Sequence, residues 1–196
     1  MRSTTHRGNR HGRSEEARQA VLEAADDLLA EKGFAGVTIE GIAARAGVAK
    51  QTIYRWWPSK VDVLLEAFGE DMADALTPPD TGDLATDLRT HLANLAEFLT
   101  TSDPGAVFRA LTGQAQHDPA LATRLRDDHL THQRERDLLP LHRAITRGDL
   151  PPDLDTDTAL DHLVGPVYYR VLVTGAPVPR PFTDDLVAAF LDRHRR

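Results

Sequence analysis

The chain has 196 residues and no cysteine, so it is long enough for one or two domains, lacks disulfides and thiol catalysis, and fits a reducing cytoplasm. No stretch of the sequence is long and apolar enough to span a membrane, so we expect no membrane partner. The net charge is −7 overall, but residues 1–60 hold ten Lys and Arg against seven Asp and Glu, and the remainder carries −10, so a nucleic-acid partner is not excluded.

The first thirteen residues contain four arginines and two histidines, no acidic residue and almost no apolar side chain. Such a composition cannot supply a core, so we predict a flexible basic arm over residues 1–13, which either contacts phosphates or is a disordered tail without a role. A supporting helix is predicted to follow, with Ser14 as its N-cap and Gly33 at its end. Its apolar stripe consists of Val21, Leu22, Ala25, Leu28 and Leu29.

Residues 38–60 read TIEGIAARAGVAKQTIYRWWPSK and predict a helix-turn-helix. Thr38 can cap the first helix, and Gly47 can end it in a left-handed conformation. The second helix is predicted to begin near Ala49 or Lys50. Ala43 has a small side chain, which lets the two helices approach closely where they cross, and Ile53 points back toward Ala43.

The second helix presents a cationic, amide-bearing and aromatic face. Lys and Arg can pair with guanine, Gln can pair with adenine, and hydroxyl groups and cations can contact phosphates. A solvated surface helix is the alternative reading, but the preceding helix and the glycine turn favour DNA binding. Including the cap and the start of the next helix, the predicted DNA-binding residues are Thr38, Lys50, Gln51, Thr52, Tyr54, Arg55, Trp56 and Lys60.

From residue 61 onward, apolar residues recur at helical spacing, with no strand alternation and no repeat. Breaks are predicted at the TPPDTGD segment (residues 77–83), at residues 148–152 and in the Gly- and Pro-rich segment 175–181. Pro140 predicts either a kink or a break. The last two helices are predicted over residues 156–174 and 181–195.

The TIYRWWPSK run is similar to the DNA-binding domain of the tetracycline-repressor (TetR) family of transcription factors. The resemblance implies an all-α fold: a three-helix DNA-binding domain over residues 14–60 and a helical ligand-binding and dimerisation domain over 61–196. It implies phosphate contacts from Thr38, Tyr54 and Lys60, and base or backbone contacts from Lys50, Gln51, Thr52 and Arg55. Comparable arms in this family reach into the minor groove. The sequence departs from the family at Ala49, where Ser or Thr usually caps the recognition helix.

The resemblance extends to the C-terminal segment DTALDHLVGPVYYRVLVTG, and it implies a homodimer in which the last two helices pair with their copies. The apolar stripes of these helices are broad, and we expect Leu160, Val164, Val167, Val171, Leu186 and Phe190 in the interface; ordinary intrachain core is the alternative. Such symmetry implies a near-palindromic operator.

The family also implies a small-molecule effector that binds among the C-terminal helices and releases the operator. Aromatic walls with a few polar groups are typical of ligand pockets. On that basis the candidate pocket residues are Trp57, Phe68, Phe98, Phe108, Gln114, His117 and Tyr168, although each could also be plain core or surface.

Other classes of function are less consistent with the sequence. It has no phosphate-cradling glycine motif, no nucleophile elbow and no HExxH pattern, so we predict no enzyme activity and no cofactor. His129 and His132 could suggest a metal sensor, but neighbouring arginines oppose a cation, and we predict no metal site. We therefore expect a cytoplasmic, nucleoid-associated repressor. The alternative is a helical interaction module of the same fold that is regulated by a protein partner.

Overall fold

The structure is a computed structural model that describes the backbone of residues 9–194 and their side chains except at 9–13, 70, 71, 73 and 74. Every regular element in this range is helical, so the predicted all-α fold is confirmed. The helices are α1 (Asn9–Gly36), α2 (Ile39–Ala46), α3 (Lys50–Trp56), α4 (Lys60–Ala75), α5 (Leu84–Thr101), α6 (Asp103–Ala115), α7 (Pro119–Arg124), α8 (Thr131–Asp137), α9 (Leu139–Arg147), α10 (Thr156–Tyr169) and α11 (Arg180–His194). The chain divides into two compact units, and the boundary along the sequence lies between Gly69 and Glu70.

Helix α1 begins earlier than predicted. It starts at Asn9, so Ser14 lies inside the helix and is not its N-cap. Asn and Arg are tolerated in helices, and Gly12 alone costs only about 1 kcal/mol, so nothing in this stretch stops the helix. Of the predicted basic arm, residues 1–8 lie outside the described part of the chain, and residues 9–13 form the first turns of α1.

The apolar stripe of α1 forms the core of the first unit as predicted, since all five of its residues are buried. Gly33 interrupts α1 with φ 65° and ψ 172°, a conformation that glycine adopts without the steric cost of a Cβ. The predicted end of the helix at Gly33 is therefore confirmed as a break, after which a short helical turn continues to Gly36.

Helix α5 contributes the main apolar face of the second unit. Leu84, Leu88, Leu92, Leu95 and Leu99 recur at helical spacing and are all buried. The N-cap of α5, Asp83, accepts a hydrogen bond from the Thr86 amide at 2.9 Å. The TPPDTGD segment separates α5 from α4 as expected.

Two irregularities shape the later helices. Pro140 produces a break: α8 ends at Asp137 and α9 begins at Leu139, with the proline in its first turn, where a missing amide hydrogen is tolerated. One π-helical turn, Leu125–Leu130, joins α7 to α8, and another, Arg170–Thr174, extends α10. Over the described residues, no helix has the length and apolar character needed to cross a membrane.

Candidate nucleic-acid interface and second-unit cavity

Helices α2 and α3 form the predicted helix-turn-helix. Thr38 caps α2, since its Oγ1 accepts a hydrogen bond from the Gly41 amide at 3.0 Å. Gly47 ends α2 in the left-handed region, with φ 68° and ψ 27°, and the Val48 amide donates to the Ala43 carbonyl at 3.1 Å. Helix α3 then begins at Lys50, and its N-cap Ala49 makes no side-chain cap, as the departure from the family pattern predicted.

The buried side of this unit fixes α3. Ile42 and Ile53 have no exposed surface, and Ala43 is buried beside the turn. Burying two isoleucines contributes about 3–6 kcal/mol of transfer free energy, so the relative placement of α2 and α3 is well determined. The opposite side of α3 therefore faces solvent as a rigid surface.

The exposed face of α3 contains four of the predicted DNA-binding residues. Lys50, Gln51, Tyr54 and Arg55 are exposed, and Tyr54 keeps 53% of its surface in solvent. A flat, amphipathic side chain in this position is suited to contact with a sugar-phosphate backbone.

Lys50 is paired in the free protein. Its Nζ lies 2.9 Å from Glu40 Oε1 of α2, and this contact raises the pKa of Lys50 and lowers the pKa of Glu40. Both side chains are at least half exposed, so the pair is solvent-screened and easily exchanged for a phosphate. Glu40 was not identified from the sequence; its position in the first turn of α2, two residues after the Thr38 cap, is the signal that could have suggested it.

The remaining predicted DNA-binding residues of α3 are less exposed than these four. Thr52 and Trp56 are half-buried. The Arg55 guanidinium lies 5.0 Å from the centroid of the Trp56 ring, within the range of a cation–π contact. The Trp56 ring in turn meets the Trp57 ring edge to face, with centroids 5.4 Å apart.

Lys60 is bound to the backbone of the first unit. Its Nζ donates to the carbonyl oxygens of Phe34 at 2.8 Å and of Val37 at 2.9 Å, and it lies 4.5 Å from the Phe34 ring centroid. Desolvation lowers the pKa of Lys60. The sequence suggested only a solvated or phosphate-facing lysine, whereas the structure shows that two of its three donors already satisfy carbonyls near the end of α1.

A second long-range contact joins α1, the end of α3 and α4 through Glu66. One carboxylate oxygen of Glu66 accepts from Arg18 of α1, and the other accepts from the Trp57 indole at 2.7 Å. Trp57 is buried in the first unit. It therefore stabilises the DNA-binding unit, which differs from the predicted role as a pocket residue.

The second unit contains a cavity of about 460 Å³. Its walls are mostly aliphatic and aromatic, and both π-helical turns contribute to them, through Leu125, Arg126 and Leu130 from the first and Leu172 from the second. The volume is in the range typical of small-molecule sites, and π-helical turns occur frequently at functional sites.

Two of the seven predicted pocket residues line this cavity, namely Phe108 and Tyr168, whose ring centroids are 6.0 Å apart. The other five do not. Trp57, Phe68 and Phe98 are buried in the cores of their units, and Gln114 and His117 are exposed. Polar lining residues that the sequence analysis missed are Thr112, Gln116, Gln133 and Asp137.

The predicted interface residues mostly face the interior of their own chain. Leu160, Val164, Val167 and Phe190 are buried, and the first two line the cavity. Val171 and Leu186 are half-buried. These four buried positions are therefore intrachain core, the alternative reading, because the apolar stripe of each helix is used by its own unit.

Three large apolar side chains near the end of α10 remain exposed. Tyr169, Leu172 and Val173 are exposed by 58%, 38% and 69%, respectively. They lie at the end of α10 and in the π-helical turn after it.

Comparison with protein families gives two matches that together cover most of the chain. The family described as bacterial regulatory proteins of the tetR family matches residues 21–67, which include α2 and α3. The family described as the tetracyclin repressor-like C-terminal domain matches residues 78–190.

Individual proteins agree with these matches. The uncharacterized HTH-type transcriptional regulator YdeS of Bacillus subtilis (strain 168) is 41% identical over 175 residues, which is 89% of this chain and 88% of that protein. The DNA-binding transcriptional repressor TetR of Mycobacteroides abscessus is 29% identical over 179 residues, covering 89% and 92%. The crystal structure of the TetR family transcription regulator SCO0332 superposes with a TM-score of 0.78 at 37% identity, covering 90% of this chain and 97% of that one.

The matched C-terminal family alone spans more than half of the chain. The geometry of α2 and α3 supplies the DNA-binding unit that such proteins use. The chain therefore belongs to the TetR family and is a DNA-binding transcriptional regulator, not an enzyme.

Proposed function

We propose that the protein is a cytoplasmic, nucleoid-associated repressor, which binds a near-palindromic operator as a homodimer and is released by a small molecule. In this proposal residues 14–60 bind DNA, and residues 61–196 bind the effector and form the dimer. The observation that carries the proposal is the exposed face of α3, which is held by buried Ile42 and Ile53 and presents Gln51, Tyr54 and Arg55 to solvent.

The contacts of the free protein indicate how each residue takes part. Gln51 has an exposed amide suited to adenine, and Lys50 can read guanine once it leaves Glu40. Thr38 Oγ1 already accepts a hydrogen bond, but its hydroxyl hydrogen can still be donated to a phosphate. Tyr54 and Arg55 reach the backbone from the exposed side of α3, and Lys60 retains one donor for a phosphate.

The proposed dimer would use the exposed end of α10. Tyr169, Leu172 and Val173 form an apolar surface on the helix that the family uses for dimerisation. Burial of these side chains against a second copy would remove their apolar surface from water. Val173→Asp would place a charge in that interface, and we expect sedimentation velocity to show a monomer. Ala120→Asp, at an exposed position of α7, is the control and should remain dimeric.

The proposed release links the cavity to the operator. An effector weakens DNA binding only by its differential affinity for the two states, typically about 1–3 kcal/mol, which corresponds to roughly a 5- to 150-fold change in operator affinity. The two π-helical turns in the cavity wall support such a role, because π-helical turns occur frequently at functional sites.

The test is selection of bound fragments from a random oligonucleotide pool, followed by titration of the enriched sequence. A repressor of this kind yields a motif with two-fold symmetry. Tyr54→Phe should weaken binding to all sequences, whereas Gln51→Ala should relax the preference at individual base pairs by about 1–3 kcal/mol. Absence of any enriched motif at low salt would overturn the assignment.

A further inference from the structure

The cavity in the second unit combines a largely apolar wall with several polar and charged side chains. The Phe108 and Tyr168 rings and several leucines form the apolar part. Thr112 Oγ1 is buried and has no hydrogen-bond partner among the described residues. Burial, with a further contribution from the charge of Asp137, raises the pKa of Tyr168, so the phenol remains protonated and can donate.

Asp137 is the acidic residue of the cavity lining, and it is only 7% exposed. Its Oδ1 accepts a hydrogen bond from Gln133 Nε2 at 2.6 Å. The Gln133 amide is fixed in this orientation, because its Nε2 also donates to the Leu76 carbonyl at 3.2 Å and its Oε1 accepts from Arg136 at 2.6 Å. No hydrogen bond to Asp137 Oδ2 is recorded within the described part of the chain.

The surroundings do not neutralise this carboxylate well. His91 Nε2 lies 3.0 Å from Asp137 Oδ1, but neither ring nitrogen of this buried histidine makes a hydrogen bond of acceptable angle. Arg136 bonds to the glutamine rather than to the carboxylate. While His91 is neutral, this buried carboxylate has no cationic partner, which is costly, and a ligand that supplies the positive charge would remove that cost.

The two arginines in the cavity lining are already paired with other acids. Arg134 lies 2.9 Å from Asp157 and 2.7 Å from Asp161. Arg126 lies 3.1 Å from Asp127. Both arginines are therefore paired with aspartates outside the cavity lining, whereas Asp137 has no arginine partner among the described residues.

We propose that the effector is an apolar organic cation, whose aromatic or aliphatic body fills the cavity and whose protonated nitrogen is bound by Asp137. Tyr168 and Thr112 supply further hydrogen bonds to polar groups of the ligand. An anionic ligand of the same shape would meet the Asp137 carboxylate and would be rejected. This inference rests on the proposed function, because it names the ligand class of the same cavity.

Three fluorescent probes of matched shape test the charge preference directly: 1-pyrenemethylamine, 1-pyrenemethanol and 1-pyrenecarboxylic acid. Their binding to the full chain is measured by fluorescence polarisation at pH 8. A charge-assisted hydrogen bond predicts that the amine binds at least about tenfold more tightly than the alcohol, and the acid least tightly. Equal or tighter binding of the acid would overturn the proposal.

Asp137→Asn isolates the charge while keeping the side-chain shape. We expect the variant to lose about tenfold in amine affinity and to bind the alcohol as before. Asp128→Asn, at an exposed position on the adjacent π-helical turn, is the matched control and should bind all three probes like the wild type. If the Asp137 variant keeps the amine preference, the proposal fails; if it does not fold, the wild-type preference among the three probes still decides.

Operator titration separates this proposal from the proposed function. If the amine binds with the expected dependence on Asp137 but leaves operator affinity unchanged, effector release is wrong and the ligand class stands. If the alcohol or the acid releases the operator and the amine does not, effector release stands and the ligand class is wrong.

Discussion

Lys60→Met tests whether this lysine stabilises the DNA-binding unit through the end of α1. Its ammonium donates to the Phe34 and Val37 carbonyls at 2.8 and 2.9 Å, and methionine keeps an apolar stem against the Phe34 ring while removing both donors. Hydrogen bonds to a charged group contribute about 1.5–3 kcal/mol each, but water can partly replace them at this half-exposed site, so we expect a net loss of about 2 kcal/mol. For a chain of this length, that corresponds to a decrease in melting temperature of roughly 4–8 °C.

The assay is thermal unfolding followed by circular dichroism, in parallel with operator titrations at several salt concentrations. Lys32→Met is the control, because Lys32 is exposed on α1 and should melt within about 1 °C of the wild type. If Lys60 also contacts a phosphate through its third donor, the salt slope of operator binding decreases by about one. Unchanged melting of Lys60→Met would refute the stabilising role, whatever happens to DNA affinity.

Four further substitutions test other parts of the DNA-binding unit and the helical glycine of α6. Lys50→Gln removes the cation, and if Lys50 exchanges Glu40 for a phosphate we expect the logarithmic salt slope of operator binding to decrease by about 0.9; an unchanged slope would show that Lys50 does not reach a phosphate. Gln51→Ala should leave the salt slope unchanged and reduce discrimination at one base pair by about 1–3 kcal/mol, which competition with operators substituted at single positions measures. Gly47→Ala adds a Cβ to a residue in the left-handed conformation and should lower the free energy of unfolding by about 1–2 kcal/mol. Gly113→Ala adds a Cβ in open space within α6 and should raise the free energy of unfolding by up to about 1 kcal/mol. Urea unfolding of both variants measures these differences.

The helix-turn-helix was predictable because its signals are local. A capping hydroxyl at Thr38 and a left-handed glycine at Gly47 act within one or two turns of the backbone, and the structure shows both. Ala43 and Ile53 are buried as their spacing implied. Such contacts depend on residues a few positions apart, so the sequence alone displays them.

The contacts of Lys60 and Glu66 could not be predicted from the sequence. Lys60 bonds to carbonyls 23 and 26 residues earlier, and Glu66 joins Arg18 to Trp57 across three helices. A backbone carbonyl carries no side-chain signature, and a lysine or glutamate on an amphipathic helix normally indicates solvation. These partners follow only from the tertiary arrangement.

The cavity shows a different limit. Helical periodicity identifies which residues turn inward, but it does not show where inward-facing residues fail to fill the space between helices. Phe68 and Phe98 fill their cores completely, whereas Phe108 and Tyr168 border a void. Asp137 was missed because a single aspartate at the end of a charged helix resembles a solvated residue.

The last two helices show why an apolar stripe alone cannot predict an interface. A stripe that includes Leu160, Val164 and Val167 satisfies the intrachain core, so it cannot also meet a second copy. A helix that also pairs with its copy needs apolar residues on a second face, and in the proposed dimer Tyr169 and Val173 supply them just after the first stripe ends. The proposed interface therefore rests on the apolar residues that remain exposed once the core face has been assigned, and that assignment required the fold.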